Sequence, residues 1–227
     1  MKQLSLLTFM VITGFYSFAQ DCKNFYFMTN NSEVKMTTYD RKGKESGIQT
    51  WTINDVKNNG SGFTSNVSTV FTDEKGKEIT KGSGTYICEN GMLKADIKMS
   101  MPQGPAQGAK MDGAYIEYPS NMAAGQTLKD ANFEMDTETS GMKSHVTFNQ
   151  TNRKVEATEK VTTPAGSWDA HKITYDGYFR IKMMGIGVPM NMKVTEWFVP
   201  NFGIVKSETY DKNGKLMASS MITSIKK

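Results

Sequence analysis

Methionine is the residue type whose number and spacing point most directly to chemistry. Fifteen of the seventeen methionines, all except Met1 and Met10, lie beyond position 19, and several form alternating pairs. Alternate residues of a β-strand share a face, so Met190 and Met192 would lie on one side with Val188. Flexible thioether side chains suit apolar ligands of variable shape. We therefore predict a site for a lipid or other apolar small molecule, with these candidate residues: Met99, Met101, Met183, Met184, Met190, Met192 and Trp197.

Trp197 joins this row only if a β-bulge near Glu196 reverses the alternation. Two alternatives to an apolar ligand remain open. The same thioethers could bind Cu(I), a soft ion that accepts methionine ligands. Alternating methionines also fill the cores of ordinary β-sandwiches and barrels.

The sequence offers little for catalysis. It contains only two histidines, His145 and His171, both in predicted strands, and neither a Gly-x-Ser-x-Gly nor a His-Glu-x-x-His motif. Asp169 and His171 would share a strand face, but no serine or cysteine near them is marked as a nucleophile. The Gly-x-Gly pairs do not open helices and so cannot form a phosphate cradle. We expect a non-enzymatic protein without catalytic residues, cofactor or metal.

The first nineteen residues have the features of an export signal. Lys2 forms a basic start, residues 4–15 are apolar but too short to span a bilayer, and Ala19 ends a cleavage-site pattern. We expect residues 1–19 to be a cleaved signal peptide, residues 20–227 to be one exported domain, and the product to be periplasmic or secreted. The residues before Cys22 lack the pattern of a lipid-attachment site, so we expect no acylation.

Cys22 and Cys88 are the only cysteines. In an oxidising compartment such a pair usually forms a disulfide bond. The alternative is two unpaired thiols buried on different strands.

The charge distribution bears on nucleic-acid binding: the formal charge is +4 at pH 7, and lysine and arginine are scattered among acidic residues. Without a basic block, nucleic acid is not an expected partner.

A turn pattern, Asp-x-x-Gly-Lys, occurs three times, beginning at Asp40, Asp73 and Asp211. The aspartate can accept hydrogen bonds from the following backbone, and the glycine can adopt the positive φ of a type I turn with a G1 bulge. Each turn therefore predicts a β-hairpin. Further short segments rich in threonine, β-branched and aromatic residues follow about every ten residues, and among them are Met92–Met101, Met142–Asn149, Lys154–Thr162, His171–Tyr175, Tyr178–Met184 and Val188–Val199.

This spacing predicts a mainly β fold: a single curved antiparallel sheet or open (half) barrel with one or two short helices. The best helical candidate is Ser120–Ala131, although Gly125 lies in its middle. Pro102–Gly108 contains two prolines and two glycines and is predicted to be a loop.

Several segments of this chain resemble the TapB-like family of exported bacterial proteins and a broader group of uncharacterised periplasmic domains. The resemblance covers nearly the whole mature chain and is carried by Asp21–Tyr26, Tyr39–Lys44, Asn152–Val155, Thr163–Asp169, Glu196–Phe198 and Gly203–Asp211. These families are similar to the half-barrel lipoprotein carriers LolA and LolB, which hold acyl chains on a concave sheet. The resemblance implies no enzymatic activity. Relatives often carry a cysteine where this chain has Ala170, so their disulfide pairings do not transfer.

Two functions follow from these patterns. The first is an envelope protein that binds a lipid or other apolar ligand on a concave sheet face. The second is a structural or accessory envelope protein with a packed core and a protein partner.

Overall fold

The computed structural model describes Cys22 and residues 25–100, 114–139, 142–183 and 185–227. The predicted signal peptide, the predicted loop Pro102–Gly108, Met101 and Met184 lie outside the described residues. In the described part of the chain, no helix is long and apolar enough to cross a membrane.

In the described residues, twelve strands form one antiparallel sheet, which confirms the predicted mainly β fold. Each strand pairs with the next one from β1 to β6 and from β7 to β12, and β12 pairs with β1. The strands are β1 (Glu33–Asp40), β2 (Glu45–Asn58), β3 (Gly62–Thr72), β4 (Glu78–Glu89), β5 (Met92–Asp96), β6 (Tyr115–Pro119), β7 (Ala131–Thr139), β8 (Met142–Thr163), β9 (Gly166–Met183), β10 (Ile186–Val199), β11 (Gly203–Asp211) and β12 (Leu216–Lys226).

The three Asp-x-x-Gly-Lys turns form as predicted, between β1 and β2, β3 and β4, and β11 and β12. In the first, the Asp40 carboxylate accepts hydrogen bonds from the backbone N–H groups of Lys42 (2.8 Å) and Lys44 (2.9 Å). These bonds hold the pKa of Asp40 below its ordinary value. Gly43 has a φ of 76°, which a residue with a Cβ rarely adopts. Such turns fix the register of the strands on either side.

The sheet curls into a nearly closed barrel, because its two edge strands, β6 and β7, approach each other. Arg153 of β8 joins them at this seam. Its Nη1 donates hydrogen bonds to the carbonyl oxygens of Glu117 in β6 (3.2 Å) and of Lys129, just before β7 (2.7 Å).

The segment before β1 packs onto the inner side of the sheet. Its residues 25–28 are buried and include a short 3₁₀ turn, Tyr26–Met28. The Phe27 ring lies 4.5 Å from that of Tyr86 and 5.9 Å from that of Phe202. A disulfide bond joins Cys22 to Cys88, with 5.6 Å between their Cα atoms. The predicted bridge therefore tethers this segment to β4.

The predicted helix Ser120–Ala131 is wrong. The chain there turns at Gly125, which has a φ of 87°, and Ala131 already belongs to β7. The backbone N–H groups of Gly125 and Leu128 donate to carbonyl oxygens of β8, those of Val155 and Arg153. Hydrogen bonds that a helix would make internally are thus made with a neighbouring strand.

Strand lengths differ from the predicted ones in two ways. Met142–Asn149 and Lys154–Thr162 are parts of one strand, β8, which continues through bulges. His171–Tyr175 and Tyr178–Met183 likewise belong to β9. In contrast, β5 ends at Asp96, where the carboxylate accepts a hydrogen bond from Lys98 N (3.0 Å) and Ile97–Ser100 form a 3₁₀ turn. Met99 is therefore not part of a strand.

Candidate binding site on the inner face

The inner face of β7 to β10 is built in rows, because directly paired residues of antiparallel strands point to the same side. Two successive rows are entirely apolar, and we call them the apolar rows. Their members, from β7 to β10, are Met135, Val146, Ile181 and Val188, then Phe133, Phe148, Phe179 and Met190. The next row contains Ala131, Gln150, Gly177 and Met192.

The apolar rows are buried at one side and open at the other. Met135 and Val146 are buried on β7 and β8, whereas Val188 is 83% exposed and Met190 40% exposed on β10. Next to them, Ile186 is also largely exposed. Among the described residues, 186–191 pair with β9 alone, because pairing with β11 begins at Met192. Large apolar side chains that stay in water next to a buried apolar surface are typical of a ligand or partner site.

Three of the predicted site residues come together here. Met183 lies opposite Ile186, Met190 belongs to the second apolar row, and Met192 lies in the row below. The Met192 side chain covers Gly177, where a Cβ would come within 2.7 Å of its Cγ. Met101 and Met184 are outside the described residues.

Met99 lies elsewhere, on the other half of the sheet. It is buried, and its side chain packs across Gly84 of β4. Its carbonyl oxygen accepts a hydrogen bond from Gln49 Nε2 at 3.2 Å. Met99 therefore fills core.

Trp197 points away from the predicted row. β10 stays in regular register with β9 from Ile186 to Phe198, so Trp197 faces the side opposite to Met190 and Met192. The bulge that the sequence suggested does occur here, but its extra residue is in β11, at Val205. The Trp197 indole donates a hydrogen bond to Glu159 (2.6 Å), and Lys206 Nζ lies 4.3 Å from its ring. These contacts hold Trp197 on the outer face.

A polar cluster lies further along the same inner face, centred on Glu196. The Glu196 carboxylate accepts hydrogen bonds from the hydroxyl groups of Tyr175 (2.6 Å) and Tyr118 (3.1 Å). The Tyr175 hydroxyl in turn accepts one from Gln150 Nε2 (3.2 Å). Tyr118 stacks on Phe198, with 4.6 Å between the ring centroids. All these side chains are buried.

Burial sets the electrostatics of this cluster. It raises the pKa of Glu196, and the tyrosine hydrogen bonds and nearby Arg153 oppose that rise only partly. Burial and the Glu196 charge also raise the pKa of Tyr118 and Tyr175 well above the ordinary value. Chemically, the cluster offers hydrogen-bond donors and one carboxyl group with a raised pKa.

Arg153 is the cationic member of the cluster. It is fully buried, and its guanidinium carbon lies 5.0 Å from the centroid of the Tyr118 ring. Nη1 is used at the seam, but Nε and Nη2 have no hydrogen-bond partner among the described residues. The Gln150 Oε1 atom is also buried without a partner there. Buried polar atoms normally have partners, and three of the eight exceptions in the described residues belong to this cluster.

The sequence prediction did not include this polar cluster. One signal was present: Glu196 occupies an inward position between Val194 and Phe198, and an acid there implies polar partners inside the fold. Its partners could not be found in this way. Tyr118 comes from β6, seventy-eight residues earlier in the chain.

The histidines lie outside both sites. His145 Nδ1 is 2.8 Å from Asp136 Oδ1 at an exposed position of the β7–β8 pair. His171 Nδ1 is 3.0 Å from the Thr158 hydroxyl, and partial burial lowers the pKa of His171. Within the described ranges, no three His, Cys, Asp or Glu side chains are grouped closely enough to hold a metal ion.

A surface pocket of about 420 Å³ lies beside β9 and β10, and its lining includes Asp176, Lys193, Thr195 and Tyr210. Asp176 there accepts a hydrogen bond from Asn152 (2.9 Å). Most of its lining, such as Asp176 and Thr195, belongs to the outer face, and Tyr175 and Val194 also contribute to it, but it includes no member of the apolar rows.

A family model described as DUF3108-like matches residues 29–222, which include all twelve strands except the last residues of β12. The chain belongs to the DUF3108-like family. No curated protein matches it.

Two solved structures share the fold of this DUF3108-like chain. One, from Bacteroides fragilis, is described as an exported protein with a YmcC-like fold; it is 22% identical, with a TM-score of 0.72, over 88% of this chain and 97% of that one. The other, described as a lipoprotein from Parabacteroides distasonis, is 23% identical, with a TM-score of 0.73, over 89% and 99% of the two chains. At this identity the likeness establishes the fold.

Proposed function

We propose that this protein is an exported, non-enzymatic envelope protein that binds an acyl chain or another apolar ligand along the apolar rows of β7 to β10. The observation that carries the proposal is the exposure of Val188 and Met190 on an inner face where Phe133, Met135 and Val146 are buried. An apolar ligand would cover the exposed side chains and complete the surface.

The energetics favour such an occupant. Apolar side chains in water cost free energy in proportion to their area, about 25 cal/mol per Å². An acyl chain laid over them would gain about 0.8 kcal/mol for each buried methylene. Methionine adapts its shape to different acyl chains, and Met183, Met190 and Met192 all lie on the inner face of the β9–β10 pair.

The comparisons support the export of this protein as part of the proposal. The two structural neighbours are described as an exported protein and as a lipoprotein. The resemblance to the TapB-like family of exported proteins also supports export. The similarity of these families to the LolA and LolB carriers supports an apolar ligand, since those carriers hold acyl chains on a concave sheet.

Titration with a fluorescent fatty-acid probe tests the proposal. We expect the wild type to bind with micromolar affinity and Met190→Glu to bind about tenfold more weakly or worse, since its carboxylate would lie against the chain. Because Met190 is 40% exposed, the substitution should change the free energy of unfolding by less than about 0.5 kcal/mol.

Met217→Glu is the matched control. Met217 is 39% exposed and lies on β12, away from the apolar rows. The Met217→Glu variant should bind the probe as the wild type does. Absence of binding by the wild type, or equal loss in both variants, would refute the proposed site.

A protein partner is the second candidate, favoured by the free edge of residues 186–191. A strand of another protein could pair there and cover Ile186 and Val188. Native mass spectrometry of the purified protein separates the two functions. A co-purifying lipid supports the first, and a stoichiometric protein complex without lipid supports the second.

A further inference from the structure

Arg153 presents one complete edge of its guanidinium group without a partner. Nη1 bonds to two backbone carbonyl oxygens, whereas Nε and Nη2 bond to nothing among the described residues. In a planar guanidinium, Nε–H and Nη2–H are parallel donors on the same edge. That pair of donors matches the two oxygens of a carboxylate.

Arg153 belongs to the same inner face as the apolar rows. Gln150 lies one row beyond Phe148, and Arg153 lies in the bulge that faces Tyr175, one row further. Rows on one face are about 7 Å apart, so Arg153 is roughly 14 Å from the second apolar row. An extended amphiphile can span that distance.

In the row between them, Gly177 has no side chain, and Met192 fills the position above it. The Met192 Cγ would be 2.7 Å from a Cβ at position 177. Methionine has three rotatable side-chain bonds, so Met192 can move aside without a backbone change. If Met192 moves aside, the position above Gly177 gives an extended ligand a path from the apolar rows to the polar cluster.

The charges near Arg153 leave it able to take an anion. The groups that face it are Tyr118, Tyr175 and Glu196, and both tyrosines stay neutral because burial raises their pKa. Burial raises the pKa of Glu196, although nearby Arg153 opposes that rise, and the Glu196 carboxylate oxygens accept hydrogen bonds from the two tyrosine hydroxyl groups. The Nε–Nη2 edge of the buried Arg153 guanidinium, which has no partner among the described residues, would gain from an added carboxylate.

We infer that the ligand is an amphiphile with a carboxylate head group, such as a fatty acid, whose carboxylate binds the Nε–Nη2 edge of Arg153 while its chain lies along the apolar rows. This inference rests on the proposed function and adds the ligand class. Chain binding alone would not require a charged head group.

The test compares two ligands of equal chain length on the wild-type protein, dodecanoic acid and dodecan-1-ol, by isothermal titration calorimetry near pH 7.5. A bidentate, charge-assisted contact should make the acid bind about tenfold more tightly or better. Equal affinities would overturn the inference and leave the proposed function standing. Binding of neither ligand would overturn the proposed function itself.

Arg153→Lys provides the second arm. Lysine keeps the positive charge but lacks the parallel donors, so the preference for the acid should fall severalfold while dodecan-1-ol binds unchanged. Arg180→Lys, on the outer face of β9, should keep the full preference. An unchanged preference in folded Arg153→Lys would contradict the assignment. The wild-type comparison decides the question if Arg153→Lys does not fold.

Discussion

The Tyr175 hydroxyl group holds the polar cluster together, and Tyr175→Phe removes it without changing the ring. In the wild type it donates to Glu196 Oε1 at 2.6 Å and accepts from Gln150 Nε2 at 3.2 Å. Phenylalanine would leave both groups buried with one partner fewer. Because each such loss costs about 1 to 3 kcal/mol, we expect the free energy of unfolding to fall by about 3 kcal/mol.

Urea unfolding followed by tryptophan fluorescence and by circular dichroism measures this loss. Tyr178→Phe is the control: Tyr178 lies on the other face of β9 and is half-buried. It should cost less than about 0.5 kcal/mol. In the double variant Tyr175→Phe/Glu196→Leu, the loss should be smaller than the sum of the single losses by about 1 kcal/mol or more, because the hydroxyl and the carboxylate share one interaction.

Similar small losses for Tyr175→Phe and Tyr178→Phe would refute this reasoning. They would mean that water or a rearranged side chain replaces the hydroxyl group at little cost. Additive losses in the double variant would separately exclude coupling between Tyr175 and Glu196.

Two further predictions concern stability. The double variant Cys22→Ser/Cys88→Ser should lose about 4 kcal/mol in the chain-entropy model, because the bond closes a loop with a sequence separation of 66 residues; urea unfolding measures the loss, and a change below about 1 kcal/mol would contradict it. The raised pKa of Glu196 implies a contribution to stability that is full below the unfolded pKa, near 4.5, and is lost as pH rises through the higher folded value. As pH rises above about 4.5, Glu196→Gln should therefore lose less stability than the wild type in urea unfolding, and parallel pH profiles would count against a raised pKa.

Much of the fold could be predicted from sequence because local rules determine it. The turn that begins at Asp40 needs only an aspartate, a glycine and their spacing, and it forms as expected. Strand length was harder to predict. Asn152, with a φ of 57°, marks a bulge within β8, where the sequence predicted the gap between two separate strands.

The candidate site was predictable only in part. Alternation placed Met190 and Met192 on one face, and the structure agrees. The same rule could not place Met99, since Asp96 ends β5 before it. Arg153 and Tyr118 meet because a curled sheet brings β6 close to β8, a contact between distant segments that no local pattern specifies.

Methionine methyl NMR tests the central claim most directly, because the methionines of this chain are distributed over the proposed site and away from it. With ¹³C-methyl methionine and increasing dodecanoic acid, we expect saturable shifts at Met190, Met192 and Met183. Met217, equally exposed on β12, and Met99, buried across Gly84, should stay unchanged. Shifts at Met217 or Met99 instead, or no shift at Met190 at saturating ligand, would contradict a ligand site on the apolar rows.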